Sequence, residues 1–182
     1  MGISLSHKRY EVIKRIVVNL FVKYGINCVP VSSFELATKM GIKIIPYSSF
    51  TYEQRVLLMK ESEDGFCVEK NSGEWYIFYN DAKDYGRINH TIMHEIGHIV
   101  LDHSEDSELA EKEVRFFAKY ALVPPVLIHR LKLDNPKDIS TMFDVSLEAA
   151  NYALAYYKKW LEHGFLDYTD YEIVLLKLFN VA

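Results

Sequence analysis

One stretch of the chain, GRINHTIMHEIGHIVLDH at residues 86–103, restricts the possible fold more than any other. It places His94 and His98 four residues apart, with Glu95 directly after the first histidine. Residues four apart lie on one face of an α-helix, so the two imidazoles can be directed at a single metal ion. Glu95 points about 100° away from His94, which suits a base acting on water rather than a ligand. The pattern predicts a helix that carries a metal site, whereas the alternative is a buried pair of histidines hydrogen-bonded to the backbone.

A third ligand is expected from the helix predicted at residues 106–122. Glu113 lies within the apolar stripe of that helix, and a carboxylate on the core side of a helix requires a cation. We therefore predict Glu113 as the third metal ligand. Glu111, about 200° from it, is predicted to face outward with Arg115 as a surface partner. The stripe is formed by Leu109, Phe116, Phe117 and Tyr120.

Two further histidines flank the motif without joining the predicted ligand set. His90 lies near the same face, but eight residues rotate the helix by about 80°, so we interpret His90 as a neighbour of the site. His103 lies about 140° round the helix from His98, which prevents it from reaching the same ion easily. Both are predicted to lie around the site and to act on substrate or on the ligands.

Composition excludes several classes of protein. Because 49% of the 182 residues are hydrophobic, the chain can offset the entropy cost of folding and is not a disordered protein. A net charge of −4 lacks the basic face of a nucleic-acid-binding protein, so no direct nucleic-acid partner is expected. No apolar run is long enough for a membrane span. Cys28 and Cys67 show no disulfide spacing, so we expect reduced thiols and a cytoplasmic location. The oligomeric state stays open.

The remaining patterns predict an α+β fold. A strand is predicted at IKIIPY, with Pro46 favouring a sheet edge, and a hairpin at GFCVEKNSGEWYIFYND. The small sheet and hairpin would pack on the two helices that carry the site, followed by a helical C-terminal part. We predict a core at residues 1–123 and an extension at 124–182. Helices are predicted at 7–24, at FELATKM, at TYEQRVLLMK, and at 85–102, 106–122, 125–132, 136–143, 146–162 and 169–179.

The sequence resembles the ImmA/IrrE-type metallopeptidases, a gluzincin-like zinc peptidase family. The resemblance rests on VPVSSFELATKMGIKI, GEWYIFYND, GRINHTIMHEIGHIVLDH, EKEVRFFAKYALVPP and FDVSLEAANYAL. It implies a zincin-like pair of active-site helices, zinc ligands at His94, His98 and Glu113, and Glu95 as the catalytic base. The sequence departs from the family pattern at His90, where phenylalanine is typical, and in the residues that follow Glu113.

Two other residues match the family pattern near the site, Asn80 and Arg87. Arg87 could contact substrate backbone or a buried acid, or form an ion pair with Asp84 at the start of the helix. Residues 138–160 have a sequence pattern typical of a helix-turn-helix. We interpret this segment as a packing element because no basic face accompanies it.

The predicted function is zinc-dependent peptide-bond hydrolysis, with Mn²⁺ or Fe²⁺ as possible replacements for zinc. By resemblance, the protein substrate is a helix-turn-helix repressor, cleaved to relieve repression of a mobile element or a stress response. One alternative is a non-catalytic, metal-stabilised module that captures the repressor without cutting it. A weaker alternative is a DNA-binding regulator that uses residues 138–160.

Overall fold

The computed structural model describes residues 5–103, 107–164 and 167–180. The predicted α+β fold is confirmed, although the predicted start of one helix at residue 106 lies outside the described residues. The strands are β1 Lys43–Pro46, β2 Gly65–Glu69 and β3 Trp75–Tyr79. The α-helices are α1 His7–Tyr24, α2 Ser33–Met40, α3 Tyr52–Glu61, α4 Tyr85–Val100, α5 Glu108–Leu122, α6 Pro125–Arg130, α7 Pro136–Phe143, α8 Leu147–Gly164 and α9 Asp170–Leu178.

The chain forms two compact units. The motif unit is Ser32–Arg115, and the helical unit consists of the residues up to Val31 together with those from Phe116 onward. The prediction set its boundary between residues 123 and 124 and kept α1 with the core. In the structure, α1 instead packs against α9, because its apolar face is buried within the helical unit. The division into a core and an extension stays a prediction.

The motif unit is built on a three-stranded sheet in the order β1-β3-β2. β1 pairs with β3 in parallel, and β2 pairs with β3 as the predicted antiparallel hairpin. Pro46 lies on an edge strand, where its missing N–H costs no central hydrogen bond. A Cβ at Gly65 would lie 2.7 Å from the Phe78 carbonyl oxygen and 2.8 Å from Thr91 Cγ2. Glycine therefore allows β2 to pack closely on α4.

Helix α4 is held in place at its start and along its buried face. Asp84 caps the N-terminus by accepting a hydrogen bond from the Arg87 backbone N–H at 3.0 Å. The buried Asn89 Oδ1 accepts from the Ser33 N–H and hydroxyl at 2.7 and 2.6 Å, which fixes α4 against α2. Ile92 and Ile96 are fully buried, so the other face of α4 presents the motif histidines. None of the described helices combines the length and hydropathy needed to cross a bilayer.

Candidate metal centre

Three side chains of the motif unit converge at one point. His94 and His98 come from successive turns of α4, and Glu111 comes from the first turn of α5. Glu111 Oε1 lies 3.6 Å from His94 Nε2 and 3.3 Å from His98 Nε2. Neighbouring ligand atoms of a tetrahedral zinc ion are about 3.3 Å apart. Two imidazole nitrogens and one carboxylate oxygen at this spacing therefore fit a divalent metal ion of the zinc type.

The structure places Glu111, and not the predicted Glu113, in the group of three converging side chains. Glu111 lies with the motif histidines instead of facing outward, although it also pairs with Arg115 at 3.3 Å as predicted. Glu113 is buried as predicted, and His103 Nε2 lies against its carboxylate. Of the predicted apolar stripe, Phe117 and Tyr120 are buried, whereas Leu109 is 42% exposed. The buried residues of α5 also include Ala110, Val114 and Ala121.

His103 links His98 to Glu113. His103 Nδ1 lies 3.4 Å from His98 Nδ1, and His103 Nε2 lies 2.9 Å from Glu113 Oε2. One arrangement of protons satisfies all three groups: His98 Nδ1–H donates to His103 Nδ1, and His103 Nε2–H donates to the carboxylate. That arrangement leaves His98 Nε2 with a lone pair toward Glu111 Oε1. His103 and Glu113 thus hold the ring orientation and tautomer that a metal-binding His98 requires.

His94, the first histidine of the motif, is uncharged at neutral pH. Burial lowers the pKa of His94 from 6.5 to about 4, and the nearby charge of Glu111 offsets this only in part. The positive forms of His98 and His90 lower the pKa of His94 further. Because a metal binds the unprotonated imidazole, this environment favours the binding form across the physiological range.

Glu95 lies beside the three converging side chains and is 8% exposed. Its charge contributes, after burial, to raising the pKa of Tyr47 to about 12. The Tyr47 hydroxyl donates to the Ser62 carbonyl at 3.0 Å. Tyr47 directly follows β1, so only the folding of the sheet brings it within electrostatic range of Glu95.

A cleft of about 1170 Å³ opens onto the centre. The side chains of the centre that line it are His94, Glu95, His98, His103 and Glu111. The opposite walls come from α3 and from β2, which is an edge strand of the sheet. A metal ion held here would be accessible to water and to a substrate, which is the requirement for a catalytic site rather than a closed structural one.

Comparison with known proteins decides the family. A family model described as the IrrE N-terminal-like domain, Peptidase_M78, matches residues 37–155. The chain belongs to this family. The predicted relationship to ImmA/IrrE-type metallopeptidases is thereby confirmed, and the match includes the whole of the candidate centre. No curated protein matches the chain.

The other residues predicted around the site of this IrrE-like protein have structural contacts. Arg87 donates to both carboxylate oxygens of Asp64 at 2.7 and 2.8 Å, so its acidic partner is neither a buried acid nor Asp84. This ion pair connects α4 to the residue before β2. Asn80 donates to the Glu63 carbonyl at 2.9 Å and is buried outside the cleft lining. The ring of His90 lies 6.4 Å from that of His94 and outside the group of three converging side chains.

Proposed function

We propose that this IrrE-like protein is a zinc-dependent peptidase that hydrolyses a peptide bond in a protein substrate. The observation that carries the proposal is the convergence of His94, His98 and Glu111 beside Glu95 in an open cleft. A histidine-histidine-glutamate donor set is one that catalytic zinc ions use, and it leaves a position for water or substrate. We propose zinc as the native ion. Mn²⁺ or Fe²⁺ would also bind to the same donor atoms.

In the proposed reaction, different side chains bind the metal ion and transfer the proton. His94, His98 and Glu111 would hold the ion. When bound, zinc supplies Lewis acidity, which activates water at neutral pH. A carboxylate oxygen of Glu95 accepts the proton of the attacking water and then delivers it to the nitrogen of the leaving amine. The low exposure of Glu95 keeps bulk water from competing for that proton.

The walls of the cleft favour a polypeptide as the substrate. β2 lies at the edge of the sheet and lines the cleft, so its backbone groups can pair with an extended chain. The more specific substrate, a helix-turn-helix repressor whose cleavage relieves repression in the cytoplasm, is proposed from the family relationship alone. A module that captures the repressor without cutting it would use the same cleft and is the second candidate.

Replacement of Glu95 by Gln separates the two candidates. The variant should fold and bind zinc, because Glu95 is outside the group of three converging side chains. Gln cannot accept a proton, so cleavage of a helix-turn-helix repressor substrate should fall by about 10²–10⁴. The wild-type protein should cut that repressor with zinc and stop when a chelator is added. Undiminished relief of repression in cells by Glu95→Gln would favour capture and contradict the peptidase proposal.

A further inference from the structure

We infer that the cleft selects a polypeptide segment that carries both cationic and apolar side chains. This inference rests on the proposed function, because it identifies the substrate segment from the walls around the candidate centre. Two independent features of the motif unit support it. One is the distribution of charge along the cleft, and the other is a run of four apolar residues on a helix that buries none of its residues.

The charge of the cleft is negative beyond the candidate centre. Glu61, Glu69 and Glu108 line it in addition to the two glutamates of the centre, and none of the described lining residues is Lys or Arg. Glu108 is partly neutralised by Lys112 at 2.6 Å, so Glu61 and Glu69 are the main candidates to attract a cation. A cleft lined by one sign of charge raises the local concentration of ligands of the opposite sign.

The two units carry opposite formal charges. The motif unit contains nine Lys and Arg against sixteen Asp and Glu, which gives −7, and the remaining residues give +3. The overall charge of −4 therefore conceals a strongly acidic unit that contains the cleft. Anionic ligands such as nucleic acid would be repelled from this unit, whereas a segment rich in Lys or Arg would be attracted to it.

The apolar wall of the cleft comes from α3. This helix contains Val56, Leu57, Leu58 and Met59 in succession, yet none of its residues is buried. Leu57 is 64% exposed, and both Leu57 and Leu58 line the cleft. Adjacent apolar side chains left in water at a concave surface are typical of a binding site. A capping box formed by Thr51 and Gln54 stabilises the start of α3, which has no buried residues to stabilise it by core packing.

The occupant that fits both features is a segment of the substrate protein. The acidic and apolar walls are continuous with the candidate centre, where the scissile bond must lie. Apolar side chains of the segment would cover Leu57 and Leu58. Its Lys or Arg residues would lie near Glu61 and Glu69, which belong to α3 and β2.

The first test measures binding of three labelled twelve-residue peptides to the zinc-loaded, full-length protein carrying Glu95→Gln. The first peptide contains leucines flanked by lysines, the second has every Lys replaced by Glu, and the third has every Leu replaced by Ser. Fluorescence anisotropy should show the first peptide binding at least about tenfold more tightly than either of the others. Its affinity should fall as salt rises, because the Debye length shortens from about 30 Å at 0.01 M to about 10 Å at 0.1 M.

Single substitutions should show that the preference for the lysine- and leucine-containing peptide comes from the cleft residues of α3 and β2. Glu61→Gln and Glu69→Gln should each weaken binding of the lysine peptide by about two- to fivefold, the effect expected of an exposed ion pair. Leu57→Ser should weaken binding of both leucine-containing peptides. Glu35→Gln is a control, since Glu35 belongs to the motif unit and pairs with Lys39 outside the cleft lining. Leu147→Ser, at an exposed position of the helical unit, is the apolar control.

The outcomes separate this inference from the peptidase proposal. Selective binding of the lysine peptide without its cleavage by the wild-type protein would support the cleft assignment and contradict the peptidase. Cleavage of all three peptides with equal efficiency would support the peptidase and overturn the selectivity. Equal affinity for the three peptides, or equal effects of Glu35→Gln and Glu61→Gln, would also overturn it. Concentration-dependent dimerisation that Leu57→Ser abolishes would identify a second copy as the occupant instead.

Discussion

At the scale of single residues, the sequence determines the histidine pair but not its acidic partner. His94, Glu95 and His98 are fixed relative to one another by the helix that contains them, so four-residue spacing is sufficient to predict their arrangement. Glu111 and Glu113 belong to a different helix, and their directions depend on how that helix packs. An apolar stripe indicates which side of a helix packs, but it does not specify which of two nearby glutamates faces a second helix.

Substitution of the two glutamates of α5 tests the arrangement in the structure. Glu111→Gln should weaken zinc binding by more than about 100-fold, the upper end of the effect of a group that only orients a ligand, because the group of three loses its anionic donor atom. Glu113→Gln should weaken it by about 10–100-fold, the effect typical of a group that orients a ligand, here through His103. Competition against a zinc-binding dye measures both affinities. The opposite order of effects would return the ligand role to Glu113, as the sequence and the family resemblance predicted.

The lowered pKa of His94 makes the stability of the metal-free protein dependent on pH. Its pKa is about 4 in the folded state and 6.5 in the unfolded state, so the unfolded chain binds more protons between these values. Stability contributed by the neutral form is therefore present above pH 6.5 and is lost as pH falls toward 4. Between pH 7.5 and pH 5, His94 should account for a loss of about 1–2 kcal/mol.

Urea denaturation of the chelated protein at these two pH values measures this loss. His94→Gln serves as the reference, since its side chain does not titrate. The wild-type protein should lose more stability than His94→Gln on acidification. Equal losses would show that His94 is not the group responsible.

At the scale of elements, local patterns predicted the strands well. The hairpin and the edge position of β1 followed from the residues around Asn71–Gly73 and from Pro46. The parallel pairing of β1 with β3 was not predictable, because no local signal specifies a partner that is distant along the chain. The contact of β2 with α4 at Gly65 was missed for the same reason, since the residues that it touches are Phe78 and Thr91.

Gly65→Ala tests whether close packing of β2 on α4 supports the cleft. The added Cβ would lie far below van der Waals distance from a backbone oxygen, which can move only if the strand pair moves. We expect a loss of about 1–3 kcal/mol in the free energy of unfolding, the range typical of overpacking. Thermal and urea denaturation measure it, with Val68→Ala at an exposed position of the same strand as the control. Similar losses in the two variants would show that the contact at Gly65 has no special role.

At the scale of the whole molecule, the sequence predicted the α+β class but not the grouping of distant segments. Helix α1 is separated from α9 by the entire motif unit, so only the folded structure shows that they pack together. The charge difference between the two units was concealed for the same reason. A total charge or composition averages over segments that folding separates.

Binding of zinc at the candidate centre should stabilise the folded protein against heat. An ion that binds the folded state alone adds about 2.7 kcal/mol when its free concentration is a hundred times its dissociation constant. For a chain of this size, each kcal/mol raises Tm by about 2–4 °C, so zinc should raise Tm by roughly 5–10 °C. His98→Ala should lose most of this increase, because two remaining ligands bind the ion weakly. Its own Tm without zinc supplies the baseline, which separates lost binding from lost folding. Calorimetry at matched pH measures both proteins with and without the ion. An equal increase in wild type and His98→Ala would place zinc elsewhere in the molecule and remove the basis of the proposed peptidase.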